Sequence, residues 1–416
     1  MHPRTGLPVV GMVGAGQLAR MTHQAAIALG QSLRVLAADP DDGAALVAAD
    51  VLIGDHTDLA ALRKLAASAE VVTFDHEHVP PEHLRALVAE GVTVYPGPDA
   101  LIHAQDKQVM RERLTALGAP APRWAPVGSV EDVVRFAAAG QASATGGGAA
   151  AAGAGRTVVA KATRGGYDGR GVWMISDPSQ VRELLDAGTS LIVEERVPLV
   201  RELAAVVARS PFGQVAAWPV VETVQRDGIN VEVIAPAPGL SEERAIEAQE
   251  LAIRIAAELG VVGVLAVELF ETPNGILVNE LAMRPHNSAH WTIEGSRTSQ
   301  FEQHLRAVLD YPLGATNLTA PYVVMANLLG GDVTPPRPGT YPRSDTHHRP
   351  PAEMTLDERL HHMMAAEPGV KVHLYGKELR PGRKVGHVTA LGDDLDDVRR
   401  RARRAVHWLR EGQETS

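Results

Sequence analysis

Residues 263–282, GVLAVELFETPNGILVNELA, read as two apolar strands joined by Thr272-Pro273-Asn274-Gly275. Proline sets φ for a type I turn and glycine supplies the left-handed position after it, the signature of a three-residue hairpin with a bulge. That turn pairs Thr272 with Ile276 and places Glu268 directly opposite Glu280, with β-carbons roughly 4.5–5.5 Å apart on one face of the ladder. Like charges so opposed destabilise a sheet unless a cation lies between them. Two hard carboxylate donors, in a chain without cysteine, suit magnesium. The plain alternative is an exposed hairpin whose glutamates face solvent, and a one-residue slip would put the pair on opposite faces.

Just downstream, Arg284-Pro285-His286-Asn287-Ser288-Ala289-His290-Trp291 supplies a fixed cation, two imidazoles, an amide and a hydroxyl within eight residues. That density of donors beside a metal pair suits an oxyanion. Upstream, Arg164-Gly165-Gly166-Tyr167-Asp168-Gly169-Arg170-Gly171 lies between a strand at 157–161 and another at 172–175. Its glycines let backbone N–H groups approach a polyphosphate, and Lys161 at the strand end adds a point charge. No Gly-Lys-Ser/Thr and helix follow, so the loop reads as a flap over ATP and not a P-loop. Towards the C-terminus, Lys377 and Arg380-Pro381-Gly382-Arg383-Lys384-Val385-Gly386-His387 form a basic turn suited to a phosphate monoester. The usual fate of such a charge run is a solvated loop.

At the N-terminus a buried strand (Val9, Val10, Met12, Val13) enters Gly14-Ala15-Gly16, followed by a helix with Leu18, Met21, Ala25 and Ala28 on one face and Gly30 at its end. Strands at Leu33–Ala37 and Val71–Phe74 continue an alternating pattern that predicts a parallel, doubly wound sheet. Gly14 to Ala19 also matches the dinucleotide fingerprint G-x-G-x-x-G/A, which raises a nicotinamide-dependent oxidoreductase as the rival reading. That rival leaves the glutamate pair and the later clusters unexplained. Asp75-His76-Glu77-His78 suggests a metal site, but reads better as a polar loop on the carboxyl edge of the sheet. The chain is acidic, with a formal net charge of -10 over 416 residues, which argues against a general nucleic-acid binder. No apolar run approaches the ~20 residues of a membrane span, and the opening lacks a secretory pattern. A cytoplasmic protein is expected.

Taken in order, VGMVGAGQLARM, RGGYDGRG, the Glu268/Asn279-Glu280 hairpin, RPHNSAHWT and RPGRKVGH resemble the 5-(carboxyamino)imidazole ribonucleotide synthases of the ATP-grasp superfamily. The likeness runs over nearly the whole chain. It implies an α/β and α+β protein: a Rossmann-like preATP-grasp domain (1–102), a central ATP-grasp region (103–312) and a small C-terminal domain (313–416), paired as a homodimer. The uncharged alanine–glycine stretch 137–155 departs from the pattern and reads as a surface insertion. Glu195-Arg196 and Asp75-His76 are further departures.

The resemblance also assigns roles. Lys107 and Lys161 are ATP-phosphate contacts under the flap Gly165, Gly166, Tyr167, Asp168, Gly169, Arg170 and Gly171. Glu194, Glu195, Arg196 and Val197 form the adenine-reading strand, and Glu202 holds the ribose. Glu268 and Glu280, with Asn279 beside them, bind two magnesium ions. Tyr167, Asp168, Arg284 and His286 surround the reacting bicarbonate and imidazole. Gln17, Glu77, Asn287, Ser288, Lys377, Arg383 and Lys384 hold the ribonucleotide. The expected substrates are ATP, bicarbonate and 5-aminoimidazole ribonucleotide. Alternatives are a formate-dependent glycinamide ribonucleotide ligase and a non-catalytic nucleotide sensor.

Overall fold

A computed structural model describes residues 1–142, 157–166, 169–331 and 354–413. Tyr167, Asp168 and positions 143–155 of the expected insertion lie outside the described residues, while its first positions, 137–142, continue the helix Val130–Ala142 instead of forming a loop. Three sheets carry the chain. The first is four-stranded and wholly parallel, in the order Asp50–Ile53, Ser32–Ala37, Val9–Val13, Val71–Phe74. Val9–Val13 and Val71–Phe74 are buried throughout, apolar runs covered on both faces, while the edge strand Asp50–Ile53 is partly exposed. The helix after the glycine turn, Gln17–Ala28, buries Leu18 and Met21 as expected, but its stripe continues through Thr22 and Ala26 in place of Ala25 and Ala28. A second helix, Gln300–Val308, packs against it and turns the buried face toward that neighbour.

The second sheet is antiparallel, in the order Trp124–Val127, Leu191–Glu195, Val158–Ala162, Val172–Ile175. The glycine flap joins its last two strands. The third sheet has nine strands, and its main path runs Gly275–Ala282, Gly263–Thr272, Arg201–Arg209, Val221–Arg226, Ile229–Ala235, Tyr322–Leu329, Lys384–Gly392, Lys371–Leu374. The strands beyond residue 313 therefore extend the central sheet, and this brings the basic turn to the same cavity as the hairpin. One apolar core runs from Val13 and Phe74 of the first sheet to Leu265 and Val278 of the third, with Met283 just past its last strand.

The hairpin reaches its expected pairing by a different route. Its turn is two residues long, with Thr272 opposite Gly275 and Glu271 opposite Ile276, and Gly275 at φ 143°. On that register Glu268 would face Asn279. A bulge between the Leu269–Val278 pair and the next one inserts Asn279 as an extra residue, so that Glu268 pairs with Glu280. Burial follows suit: Ile276 and Val278 alternate with half-exposed neighbours, then Asn279 and Glu280 are half-exposed in succession. A bulge puts two consecutive side chains beside one partner residue and bends the strand.

Candidate active site

A cavity of about 1100 Å³ opens between the second and third sheets, walled at one end by the loop after Phe74. This exceeds what one drug-sized ligand needs and leaves room for two substrates. Glu268 and Glu280 line it across the hairpin. Lys107 Nζ donates to Glu280 Oε1, and His286 Nε2 lies 3.2 Å from Glu268 Oε1. Burial works to raise the Glu268 carboxyl, but the His286 hydrogen bond and the charges of His286, Lys107 and Lys384 outweigh it and hold the group below the ordinary range. Glu202 faces the same space: burial first, then the charge of Glu268, pushes its carboxyl up to about 7.

Lys161 is aimed by two acceptors, Asn279 Oδ1 at 2.9 Å and Glu194 Oε2 at 2.8 Å. Glu194, only 2% exposed, also accepts from Arg111 Nε at 2.7 Å. Its carboxylate is thus committed to two cations, Lys161 and Arg111. Glu195, Arg196 and Val197 continue along the cavity wall. Val159, Val172 and Met174 of the second sheet, and Phe270 of the third, also line the cavity. Val172 and Met174 are 39% and 51% exposed, an apolar pair on one face of a strand that a flat base would cover. Sequence reasoning missed Phe270 and Met174; Phe270 lies two positions from Glu268, and Met174 two from Val172 at the start of the strand after the flap, so period-two alternation puts each on the face of that neighbour.

Gly165, Gly166 and Gly169 line the cavity. Gly171 closes the base of the flap, its carbonyl accepting from Ala162 N–H at 2.8 Å, and Arg170 is exposed. Gly169 and Gly228 meet backbone to backbone: a Cβ added at Gly228 would lie 3.1 Å from the Gly169 Cα. Gly228 belongs to the Asp227-Gly228 turn, where both residues have positive φ, 52° and 77°.

At the other end of the cavity Glu77 accepts from Met283 N–H at 2.7 Å and from Arg284 Nε at 3.2 Å. It therefore orients Arg284. The Asn287 amide is engaged by Asn327 through bonds of 3.0 and 2.7 Å, while Ser288 Oγ sits 2.9 Å from His286 Nδ1. Lys384 is buried on the cavity wall, and Arg383 beside it is exposed. Lys377 Nζ donates to Gln17 Oε1 at 2.6 Å, so the first sheet and the basic turn do meet.

Asp75 removes the dinucleotide reading. Its carboxylate accepts from Gly16 N–H and Ala19 N–H, each at 2.8 Å, and so fills the place at the helix start where a pyrophosphate would sit. His76 is pushed down to about 3 by burial and by the neighbouring charges of His56, His78 and Arg284. Among the described residues no three His, Asp or Glu side chains form a metal cage. A magnesium ion held by two carboxylates completes its shell with phosphate oxygens and water, so the oxygen donors at 268, 279 and 280 fit such an ion beside a nucleotide.

Comparison with known proteins bears on the whole chain. Family models match in succession: a ribonucleotide synthetase preATP-grasp domain at residues 7–105, an ATP-grasp domain at 123–301, and a phosphoribosylaminoimidazole carboxylase C-terminal domain at 323–401. The N5-carboxyaminoimidazole ribonucleotide synthase of Mycobacterium bovis is 58% identical over 98% of this chain and 89% of its own length. That of Bacillus subtilis is 32% identical over 94% of this chain and 93% of its own. The crystal structure of the Thermus thermophilus synthetase matches with a TM-score of 0.80 and 34% identity, covering 98% of this chain and all of that one. An Aspergillus clavatus synthase in complex with ADP and 5-aminoimidazole ribonucleotide matches with a TM-score of 0.81 and 28% identity, over 97% and 98% of the two chains. Near-complete coverage at such identity, on an ATP-grasp frame with the glutamate pair facing a nucleotide-sized cavity, places this chain in the N5-carboxyaminoimidazole ribonucleotide synthase family.

Proposed function

We propose that this chain uses ATP to carboxylate 5-aminoimidazole ribonucleotide with bicarbonate, yielding the N5-carboxy product, ADP and phosphate in purine biosynthesis. The observation that carries the reading is the facing pair Glu268–Glu280, with Lys107 and Lys161 on one side and Arg284 and Lys384 on the other, all on one cavity. Adenine lies beside the segment 195–197, which follows the end of the strand Leu191–Glu195, against Val172, Met174 and Phe270, and Glu202 takes the ribose hydroxyls. Lys107 and Lys161 hold the phosphates, with the flap above. Glu268 and Glu280, with Asn279 beside them, would hold magnesium, which would supply positive charge against the charge developing on the transferred phosphoryl group.

A bicarbonate oxygen attacks the γ-phosphorus, the bond to ADP breaks, and carboxyphosphate forms. Arg284, fixed by Glu77, and His286 donate to its oxygens. The flap excludes water that would hydrolyse it. The exocyclic amine of the ribonucleotide then bonds to the carboxyl carbon, phosphate leaves, and the amine proton passes to Asp168 or to that phosphate. Lys377, Arg383 and Lys384 anchor the ribonucleotide phosphate, with Gln17, Asn287 and Ser288 near it. The resemblance further supports a cytoplasmic homodimer, and light scattering at twice 44.2 kDa tests the pairing.

The decisive assay is coupled ADP release. It should require bicarbonate and 5-aminoimidazole ribonucleotide together. Turnover driven by formate and glycinamide ribonucleotide, or indifferent to bicarbonate, would overturn the reading.

A further inference from the structure

Among the described residues Arg111 is the largest charged side chain buried completely, at 0% exposure, and it does not line the cavity. It sits on the helix Lys107–Ala116, one turn after Lys107 and on the same face. Its guanidinium donates to Glu194 Oε1 at 2.7 Å, to the Val278 carbonyl at 3.0 Å and to the Asn279 carbonyl at 2.7 Å. Those two carbonyls flank the bulge that moves the hairpin register by one residue. Without the extra residue, Glu268 would face Asn279 and Glu280 would turn to the other side of the sheet.

We propose that Arg111 is a positioning residue of the metal site: it clamps the bulge at Asn279 so that Glu280 faces Glu268. Glu194 serves as the anchor that holds the guanidinium in this orientation, and by sharing that carboxylate with Lys161 Arg111 also fixes the phosphate-binding lysine. A planar fork satisfies a carboxylate and two carbonyls at once. A lysine keeps the charge but cannot span all three. The inference rests on the reading of Glu268 and Glu280 as magnesium ligands.

The test uses the full chain with Arg111→Lys, Arg111→Met and Glu280→Gln. ADP binding is measured by calorimetry with magnesium and with a chelator, and amide exchange of residues 275–282 is followed in the ligand-free protein. Arg111→Met should lose about 10- to 100-fold in magnesium-dependent ADP affinity, the usual effect of removing a group that orients a metal ligand. It should lose clearly less in chelator. Arg111→Lys should fall between, the exchange of residues 278–280 should quicken in both, and KM for the ribonucleotide should stay within about twofold. If Arg111→Met does not fold, Arg111→Lys carries the same comparison. Native magnesium-dependent affinity and native exchange in the Arg111 variants, with Glu280→Gln impaired, overturn the clamp. Native binding in Glu280→Gln as well would remove the metal reading, and the clamp with it.

Discussion

Glu280 meets Lys107 and faces Glu268 across the ladder, so Glu280→Gln keeps the shape and one acceptor but removes half of the paired charge. Turnover should fall on the order of 100-fold, since a bridging cation is worth several kcal/mol of transition-state stabilisation. The thermal midpoint should shift little, because Glu280 is half-exposed and is not a buried ion left unpaired. Near-native turnover at limiting magnesium would remove its role. Arg383 and Lys384 are adjacent yet differ. Arg383 is exposed, and Arg383→Ala should raise KM for the ribonucleotide about tenfold, the loss of one charge-assisted bond to a phosphate, with KM for ATP unchanged. Lys384 also acts on Glu268 through its charge, so Lys384→Met should disturb both substrates. Equal effects of Arg383→Ala on both KM values would make its role structural.

Among the elements, the flap and the Asp227-Gly228 turn close on each other through two glycines. Both are at positive φ, and a Cβ on either would press to within 3.2 Å of the other's Cα. Gly228→Val should hold the flap off. KM for ATP should rise, and more ADP should be released per carboxylated product as water reaches the acyl phosphate. An unchanged ratio of ADP to product would show that the contact does not seal the site. Much of this was legible in sequence, for local reasons. The strands at Val9–Val13 and Val172–Ile175 follow from short apolar runs bounded by glycine turns. The pairing of Glu268 with Glu280 was legible too, but through a turn that does not form. Thr272 pairs with Gly275 and the bulge at Asn279 restores the register, because the carbonyl clamp comes from Arg111, more than 160 residues away. A charged helical residue reads as surface until its distant partners are known, and no spacing rule reveals Arg111.

In the whole molecule the first sheet and the central sheet are joined by a neutral histidine. His304, on the helix Gln300–Val308, accepts from Val264 N–H at Nδ1 (3.1 Å). That acceptor role leaves the proton on Nε2, which donates to Thr73 Oγ1 at 2.7 Å. Gly263 packs on the ring so closely that a Cβ there would lie 2.8 Å from Cε1. Burial pushes His304 down from the ordinary 6.5 to about 4. Between those values the unfolded chain binds a proton that the folded one refuses, so stability rises with pH across this window. The contribution is complete above 6.5, is lost as pH falls toward 4, and amounts to about 3 kcal/mol at one unit per 1.36 kcal/mol. His304→Gln should lower stability at pH 7, since it breaks the junction. It should also flatten the dependence of unfolding free energy on pH between 6.5 and 4 by up to one proton. Denaturant titrations at several pH values test this, because the carboxylates titrate alike in both proteins and cancel in the difference. Parallel curves for the two proteins would mean that His304 takes up its proton as readily in the folded state as in the unfolded one, and the junction would then carry no acid sensitivity of its own.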